Sequence, residues 1–285
     1  MRLLFNLARW LAAALVALLV LLPVAWTLSI SFKLPREWVA YPPRLIPEAP
    51  TLANYQVLFQ VGNPIGPVAE MTRTAEPVTR AFVNSLIVAP LATVLSVTIG
   101  FFAAYGVSRY GVGGPLLPLT VLTTRMFPPV AFAVPLLVYF RMLGLIDTRI
   151  GLILMYTGFT TAFSLWMLKG FIDSVPRHIE EAALLDGTSR WRVVFTITLP
   201  LVKGGIAAVA LFVFILNWTE FLLALVFSSR HAITLPVQVS HYAGAVGRFY
   251  GPQAALGIVA SLPVVIAGYV IQRHLVRGFT FGLVR

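Results

Sequence analysis

The sequence predicts an all-α membrane protein that crosses the bilayer six times. Hydrophobic residues make up 59% of the 285 residues and charged residues only 11%, whereas soluble domains are about 45 to 50% apolar and about 25% charged. Long uncharged runs, each able to form the roughly 20-residue helix that spans a bilayer, alternate with short basic segments. The chain has no cysteine, and its four histidines lack ligand spacing, so no metal site is expected.

The net charge of +11 raises the question of a polyanionic partner. The basic residues are spread between the apolar runs and are not gathered on one face, as they would be in a nucleic-acid-binding protein. We therefore expect membrane lipid, with its anionic headgroups, and no nucleic acid as the partner of these charges.

Four uninterrupted apolar runs and two singly interrupted ones account for the six spans. The interrupted runs are 110–140, which contains Arg125, and 204–229, which contains Glu220. The first run follows two arginines as a signal peptide would, but it is too long for a signal core and no small-residue cleavage site follows, so it is interpreted as an uncleaved anchor. The uninterrupted runs are 10–32, 81–108, 150–168 and 249–272.

Two adjacent prolines, Pro128 and Pro129, lie near the middle of the third run. Each removes a backbone donor and crowds the preceding turn, so a kink is predicted there. The sequence leaves open whether the kink lines a substrate cavity or only fits the helix bundle.

Six spans place both termini on the same side as the polar segment that follows the fourth span. The excess of Lys and Arg on that side makes it the cytoplasmic one, by a small margin. Residues 1–32 are then the cytoplasmic N-terminus and first span, 33–80 an external segment, and 81–285 the other five spans with a cytoplasmic loop at 173–202. Eight prolines limit regular helix in the external segment, although a short helix is predicted at 51–59.

The polar segment between spans four and five reads EAALLDGTSRWRVVFTITLP, from Glu181 to Pro200. A helix is predicted from about Pro176 to Asp186. Glu180 and Glu181 lie near its start, where acidic side chains are stabilising. Gly187 permits the positive φ that ends this helix, and Ser189 can cap a second helix that ends at Leu199 and Pro200. Two helices with a glycine break predict a docking surface for another subunit.

Three residues of the first helix, Ile179, Ala182 and Ala183, recur at helical spacing and give it a narrow apolar face. The segment also fits two other interpretations. The segment could be an ordinary solvated loop, or a helix-turn-helix that reads DNA. The second would need a basic recognition face, and only Arg190 and Arg192 are available.

The same segment resembles the cytoplasmic loop of ABC-importer permeases, whose pattern is E-A-A, three residues, G, nine residues and I-x-L-P. Other stretches resemble the maltose-type sugar permeases: NSLIVA at 84–89, GLIDTRIGLIL at 144–154, FVFILNWTEFLLAL at 212–225 and QRHLVRGFTFGLV at 272–284. Arg125 stands where these permeases commonly have glutamine, and the family's W-N-E-F is W-T-E-F here. The pattern of the loop is filled by Glu181, Ala182, Ala183, Gly187, Ile197, Leu199 and Pro200.

The resemblance implies a type I ABC-importer permease fold with a cytoplasmic coupling helix, in a bacterial-type cytoplasmic (inner) membrane. Implied partners are a second permease in a heterodimer, two ATPase subunits that carry ATP and Mg, an external substrate-binding protein, and a sugar or polyol. The coupling helix would insert into a cleft on an ATPase subunit, and the tail at 278–285 would approach the same interface. The chain has no G-x-x-x-x-G-K-[ST] motif, so no catalysis and no cofactor are expected in it.

Charged residues at bilayer depth cost about 2.5 to 3.5 kcal/mol on insertion scales and usually face protein or water. Asn217, Trp218, Glu220 and Arg125 are the candidates for a substrate path, with hydrogen bonds and an aromatic face for a hydroxylated solute. The alternative is an internal Arg125–Glu220 ion pair or a contact with a partner permease. A self-sufficient ion-coupled carrier would need more intramembrane carboxylates than Glu220, and an intramembrane enzyme would need paired catalytic groups that the spans lack.

Overall fold

The computed structural model describes residues 2–61, 77–242 and 249–280, which fold into helices, turns and bends without a strand. Five helices in this part of the chain are long and apolar enough to cross a membrane, and a bent pair of helices gives a sixth when the two are counted as one span. The all-α, six-span prediction is confirmed. In chain order the helices are α1 (Arg2–Ser31), α2 (Pro35–Trp38), α3 (Ala53–Phe59), α4 (Thr79–Tyr110), α5 (Leu117–Thr123), α6 (Pro129–Met142), α7 (Arg149–Asp173), α8 (Arg177–Leu185), α9 (Arg190–Val193), α10 (Leu199–Trp218), α11 (Leu222–Phe227), α12 (Leu235–His241) and α13 (Tyr250–Thr280).

The chain divides into two compact units, one made of residues 1–80 and 238–262 and the other of residues 81–237 with the chain from Pro263 onward. In the first unit, the membrane-crossing window of α1 has no buried residue, so that helix offers its apolar side chains outward. The predicted short helix at 51–59 is confirmed as α3. Its buried Asn54 donates hydrogen bonds to the carbonyl oxygens of Ser31 and Lys33, at 2.9 and 2.8 Å, and these bonds fix α3 against the end of α1.

Small residues allow α4 and α7 to pack closely in the second unit. The Oγ of Ser96 and the Oγ1 of Thr160 are 2.6 Å apart. One turn further along α4, a Cβ added at Gly100 would lie 2.4 Å from the Cβ of Ser164. Small side chains and hydroxyl bonds of this kind join helices inside a membrane, where burial of apolar surface contributes little. The core that α10 completes contains Val97, Phe101, Ala104, Leu168, Ile172, Val202, Val209 and Val213.

The third span is broken, as its two prolines predict. A 3₁₀ turn, Thr124–Met126, follows α5, and α6 begins at Pro129 after a bend of 92° between the two helices. The break is therefore a full change of direction, larger than the predicted kink. Arg125 lies in the 3₁₀ turn itself.

The fifth span, Arg190–Trp218, begins and ends earlier than the apolar run 204–229 that predicted it. Helix α10 ends at Trp218, and α11 begins at Leu222. Two polar side chains explain the break: the Oγ1 of Thr219 donates to the carbonyl of Ile215 at 2.8 Å, and Oε1 of Glu220 accepts the backbone N–H of Leu223 at 3.0 Å. Such local bonds satisfy backbone groups at the ends of helices. The predicted contact of the tail at 278–285 lies largely outside the described residues.

Candidate functional site

Helix α8 and the turn after it match the sequence prediction for the polar segment. The helix runs from Arg177 to Leu185, and Gly187 follows at φ +83°. The N–H of Gly187 donates to the carbonyl of Leu184, and the N–H of Thr188 donates to that of Ala183, both at 3.1 Å. These two bonds form a Schellman motif, which needs a left-handed residue where glycine stands. Ser189 caps the next helix by accepting the N–H of Arg192, as predicted.

The predicted apolar face of α8 is partly exposed. Ile179 and Ala182 are exposed, Ala183 is half-buried, and Leu185 is 89% exposed. Glu181, the acidic residue of the E-A-A pattern, is also exposed. The face is therefore free to receive another molecule.

Glu180 is the buried residue of α8, and it forms a salt bridge with Arg109 near the end of α4. The Nε of Arg109 lies 2.9 Å from Oε2 of Glu180, and Nη2 donates to Oε1 at 2.9 Å, so the two groups meet side by side. Both side chains are 7% exposed. Oε1 also accepts the hydroxyl of Thr198 at 2.7 Å, and Oε2 accepts that of Tyr105 at 3.3 Å. A buried carboxylate with this many donors has its charge compensated.

The sequence prediction missed Glu180, because the loop pattern selects its neighbour Glu181. Adjacent residues of a helix point about 100° apart, so the two glutamates cannot share one environment. The signal available in the sequence was Arg109, a lone cation that ends a long apolar run just before a glycine turn.

More polar contacts surround a cavity of about 500 Å³ at the ends of α4 and α7. Arg109 Nη2 donates to the carbonyl of Val175 at 3.0 Å, and Arg177 Nη2 donates to that of Ser108 at 2.7 Å. The hydroxyl of Ser108 donates to Asp173 at 2.5 Å. These bonds join the end of α4 to the turn that leads into α8.

The second predicted helix does not end at Leu199 and Pro200, and this prediction is wrong. The structure has one continuous helix from Arg190 to Trp218, with a π-helical turn at Val194–Thr198 immediately before α10. Proline inside an α-helix clashes with the carbonyl four residues earlier, and a π turn widens the helix at that point. The pattern residues Ile197 and Leu199 are half-buried, while Pro200 is exposed.

The four residues predicted for a substrate path lie in different surroundings. Asn217 and Trp218 are both 3% exposed, and the Nδ2 of Asn217 donates to the hydroxyl of Thr93 at 3.1 Å. In this conformation both side chains are therefore packed inside the chain. Arg125 and Glu220 both lie in the described part of the chain, and no salt bridge within 4.0 Å joins them.

Arg125 lines a cavity of about 360 Å³ in the bend of the third span. Its guanidinium carbon lies 4.4 Å from the ring centroid of Phe159 and 5.7 Å from that of Phe163, and Nη2 donates to the carbonyl of Gly158 at 3.4 Å. Its Nε is buried without a hydrogen-bond partner. A guanidinium stacked on aromatic rings beside an open cavity can bind an acceptor oxygen of a solute.

A second polar cluster, which the sequence prediction also missed, holds the segment after α11. The carboxylate of Asp147, in the turn before α7, accepts the backbone N–H groups of residues 229 to 232 at 2.9 to 3.2 Å. Partial burial opposes the charged form, but these four donors outweigh it and hold the pKa of the Asp147 carboxyl well below its usual range. Nearby, the buried Asn84 donates to the carbonyls of His231 and Ile233 and accepts from Nε of Arg149.

A set of membrane-crossing helices with an exposed polar helix set on a buried ion pair defines a multi-pass membrane protein. A family model described as binding-protein-dependent transport system inner membrane component matches residues 96–281. The chain belongs to this family, and the predicted resemblance to maltose-type ABC-importer permeases is confirmed.

Two relatives illustrate the similarity. The chain is 32% identical over 276 residues to the trehalose/maltose transport system permease protein MalG of Thermococcus litoralis, and the alignment covers 96% of this chain and 94% of that protein. It is 33% identical over 276 residues to the sulfoquinovosyl glycerol transport system permease protein SmoH of Agrobacterium fabrum, with 96% and 92% covered.

The fold is similar to that of a solved structure. A chain in the crystal structure of a bacterial ABC transporter involved in the import of the acidic polysaccharide alginate superposes with a TM-score of 0.73. The superposition covers 95% of this chain and 96% of that chain, at 21% sequence identity.

Proposed function

We propose that the chain is a permease subunit of an ABC importer and that α8 is the helix on which an ATPase subunit docks. The exposed face of α8 carries this proposal, because Glu181, Ala182 and Leu185 point away from the chain while one buried carboxylate holds the helix in place. Small alanines allow a partner's backbone to approach closely, and the Glu181 carboxylate can pair with a basic residue of the partner.

This assignment implies the other subunits of the transporter. Two ATPase subunits carry ATP and Mg, a second permease completes the pathway, and an external binding protein delivers the solute. Both termini of this chain lie in the cytoplasm, on the side of α8. Closure of the ATPase subunits displaces α8 and switches the helices between inward-facing and outward-facing states by rigid-body movement.

The solute is proposed to be a sugar or polyol. The names of the relatives support this class, since they transport trehalose, maltose or sulfoquinovosyl glycerol. In this chain, Arg125 and the aromatic rings beside it offer a donor and an apolar face to such a molecule. An ion-coupled carrier is disfavoured, because Glu220 is the only acidic residue in the apolar runs that predict the spans and coupling uses intramembrane carboxylates.

Cross-linking tests the docking proposal directly, because the natural chain contains no cysteine. Leu185→Cys places one thiol on the outward face of α8, and it is expected to cross-link to the ATPase subunit in the native complex. Arg230→Cys, in the exposed segment after α11, is the matched control and should not react with that subunit. Equal cross-linking of both variants, or of neither, contradicts docking at α8.

Transport by the reconstituted complex tests the class of function. Stimulation of ATP hydrolysis by the binding protein loaded with a sugar or polyol is the expected result, and stimulation only by another solute class would overturn the sugar assignment. Uptake that persists in vesicles containing this chain without any ATPase subunit would instead show a self-sufficient carrier.

A further inference from the structure

We propose that Glu180 is a positioning residue that delivers the movement of α8 to the membrane helices. This inference rests on the proposed docking of an ATPase subunit at α8. It adds the contacts through which a displacement of α8 reaches the membrane helices. The Glu180 carboxylate contacts Arg109 on α4 and Thr198 at the base of α10. The apolar side chains of α8 are not part of these contacts.

The contact with Arg109 is suited to transmit both displacement and rotation. Two N–H groups of one planar guanidinium meet the two oxygens of one planar carboxylate, each at 2.9 Å. A paired geometry of this kind resists twisting as well as separation, which a single hydrogen bond does not. Arg109 lies one residue before the end of α4, so a shift of α8 acts on the end of that helix.

The contact with Thr198 reaches a second helix at an irregular point. Thr198 is fully buried and ends the π-helical turn at the base of α10. Single π turns inside α-helices are rare and frequently lie at functional sites. Glu180 thus connects α8 to the irregular turn of the 190–218 helix.

The apolar side chains of α8 are only partly covered by the chain, and Ala183 is half-buried. Glu180 is the buried residue of α8, while Ile179 is 38% exposed and Leu185 is 89% exposed. A buried ion pair often contributes little net stability compared with apolar residues of the same volume, whereas its geometry is specific. An ion pair beneath an otherwise exposed helix therefore fits a role in positioning.

The test uses the complete transporter, with its ATPase subunits and binding protein, in lipid nanodiscs and proteoliposomes. Two quantities are measured: ATPase subunits retained per permease, and solute transported per ATP hydrolysed. For Glu180→Gln, which keeps the shape of the side chain, we expect retention within about twofold of the native complex and at least a fivefold fall in solute transported per ATP. Asp186→Asn, the same chemical change at the exposed end of α8, is the matched control and should alter neither quantity.

Glu181→Gln separates this inference from the docking proposal. It is expected to lower ATPase retention, so unaltered retention in that variant counts against docking through Glu181 and leaves the result for Glu180 to be judged by itself. An unchanged transport ratio in Glu180→Gln overturns the inference. Loss of ATPase subunits from Glu180→Gln to the same extent as from Glu181→Gln also overturns it, because Glu180 would then only shape the docking surface.

A milder variant keeps the inference testable if Glu180→Gln fails to fold. Thr198→Val removes one hydrogen bond to Glu180 at nearly constant volume and should reduce solute transported per ATP about twofold to threefold. Arg109→Lys keeps the charge but loses the paired geometry, so its transport ratio should fall between those of Thr198→Val and Glu180→Gln. A native ratio in both milder variants would show that Glu180 does not carry the movement.

Discussion

Replacement of Gly100 by alanine should separate α4 from α7. A Cβ at position 100 would lie 2.4 Å from the Cβ of Ser164 and 3.0 Å from the backbone N of Leu165. Two of the nearest atoms belong to backbone, so a side-chain rotation cannot relieve the contact. The helices must move apart by about 1 Å to restore an ordinary van der Waals distance.

The expected cost follows from this movement. Overpacking of a well-packed interior costs about 1 to 3 kcal/mol. The movement also stretches the bond between Ser96 and Thr160, one turn away, from 2.6 Å, and such a bond contributes about 1 kcal/mol. The higher helix propensity of alanine returns up to about 1 kcal/mol. Gly100→Ala is therefore expected to destabilise the protein by about 1 to 3 kcal/mol.

Thermal unfolding of the detergent-purified protein provides the assay. Gly158→Ala is the matched control, since a Cβ at Gly158, on α7, meets nothing within 4 Å. Its melting temperature should stay equal to that of the native protein or rise slightly. The double variant Gly100→Ala with Ser164→Gly removes the nearest clashing atom and should recover part of the loss. Equal melting temperatures for Gly100→Ala and Gly158→Ala would refute the argument.

Three further predictions concern other positions. Asp147→Asn should lower the stability by about 1 to 3 kcal/mol at neutral pH, because hydrogen bonds to a charged acceptor weaken. The lowered pKa of Asp147 means that its contribution is complete above the ordinary carboxyl pKa of about 4 and is lost as the pH falls toward the lowered value, so melting curves of variant and native protein should converge in acid. Gly187→Val should destabilise the turn after α8 by about 1 to 2 kcal/mol, because Gly187 has a left-handed backbone conformation, and Gly187→Asn should cost less. The rate of amide hydrogen exchange at Thr188 in the two variants measures this difference. Arg125→Met should raise the melting temperature, because the buried unpaired Nε is removed, and should lower uptake; a lower melting temperature would contradict this reasoning.

Local chemistry made the polar segment predictable. Gly187 and Ser189 have single, strong conformational roles, and both have those roles in the structure. The break in the third span was equally accessible, since Pro128 and Pro129 cannot continue a straight helix. The 92° angle of the bend could not be predicted, because it depends on what the two helices on either side of the break pack against.

The sequence predictions failed at two places around α8 and α10, once for a local and once for a tertiary reason. Pro200 ended a helix in the prediction, yet the chain continues through it by means of a π turn. Glu180 and Glu181 are chemically identical, and only the packing of α8 beside Arg109 makes one buried and the other exposed.

By itself, the sequence determined that this is a helical membrane protein with six spans and an exposed cytoplasmic-type loop in a known family pattern. Hydrophobicity, proline and glycine act over a few residues, so their effects can be predicted from the order of residues alone. The tertiary structure decided which carboxylate anchors α8, which turn receives it, and that Arg125 and Glu220 do not pair. These facts depend on distances between residues about 20 to 100 positions apart, which arise only when the helices pack.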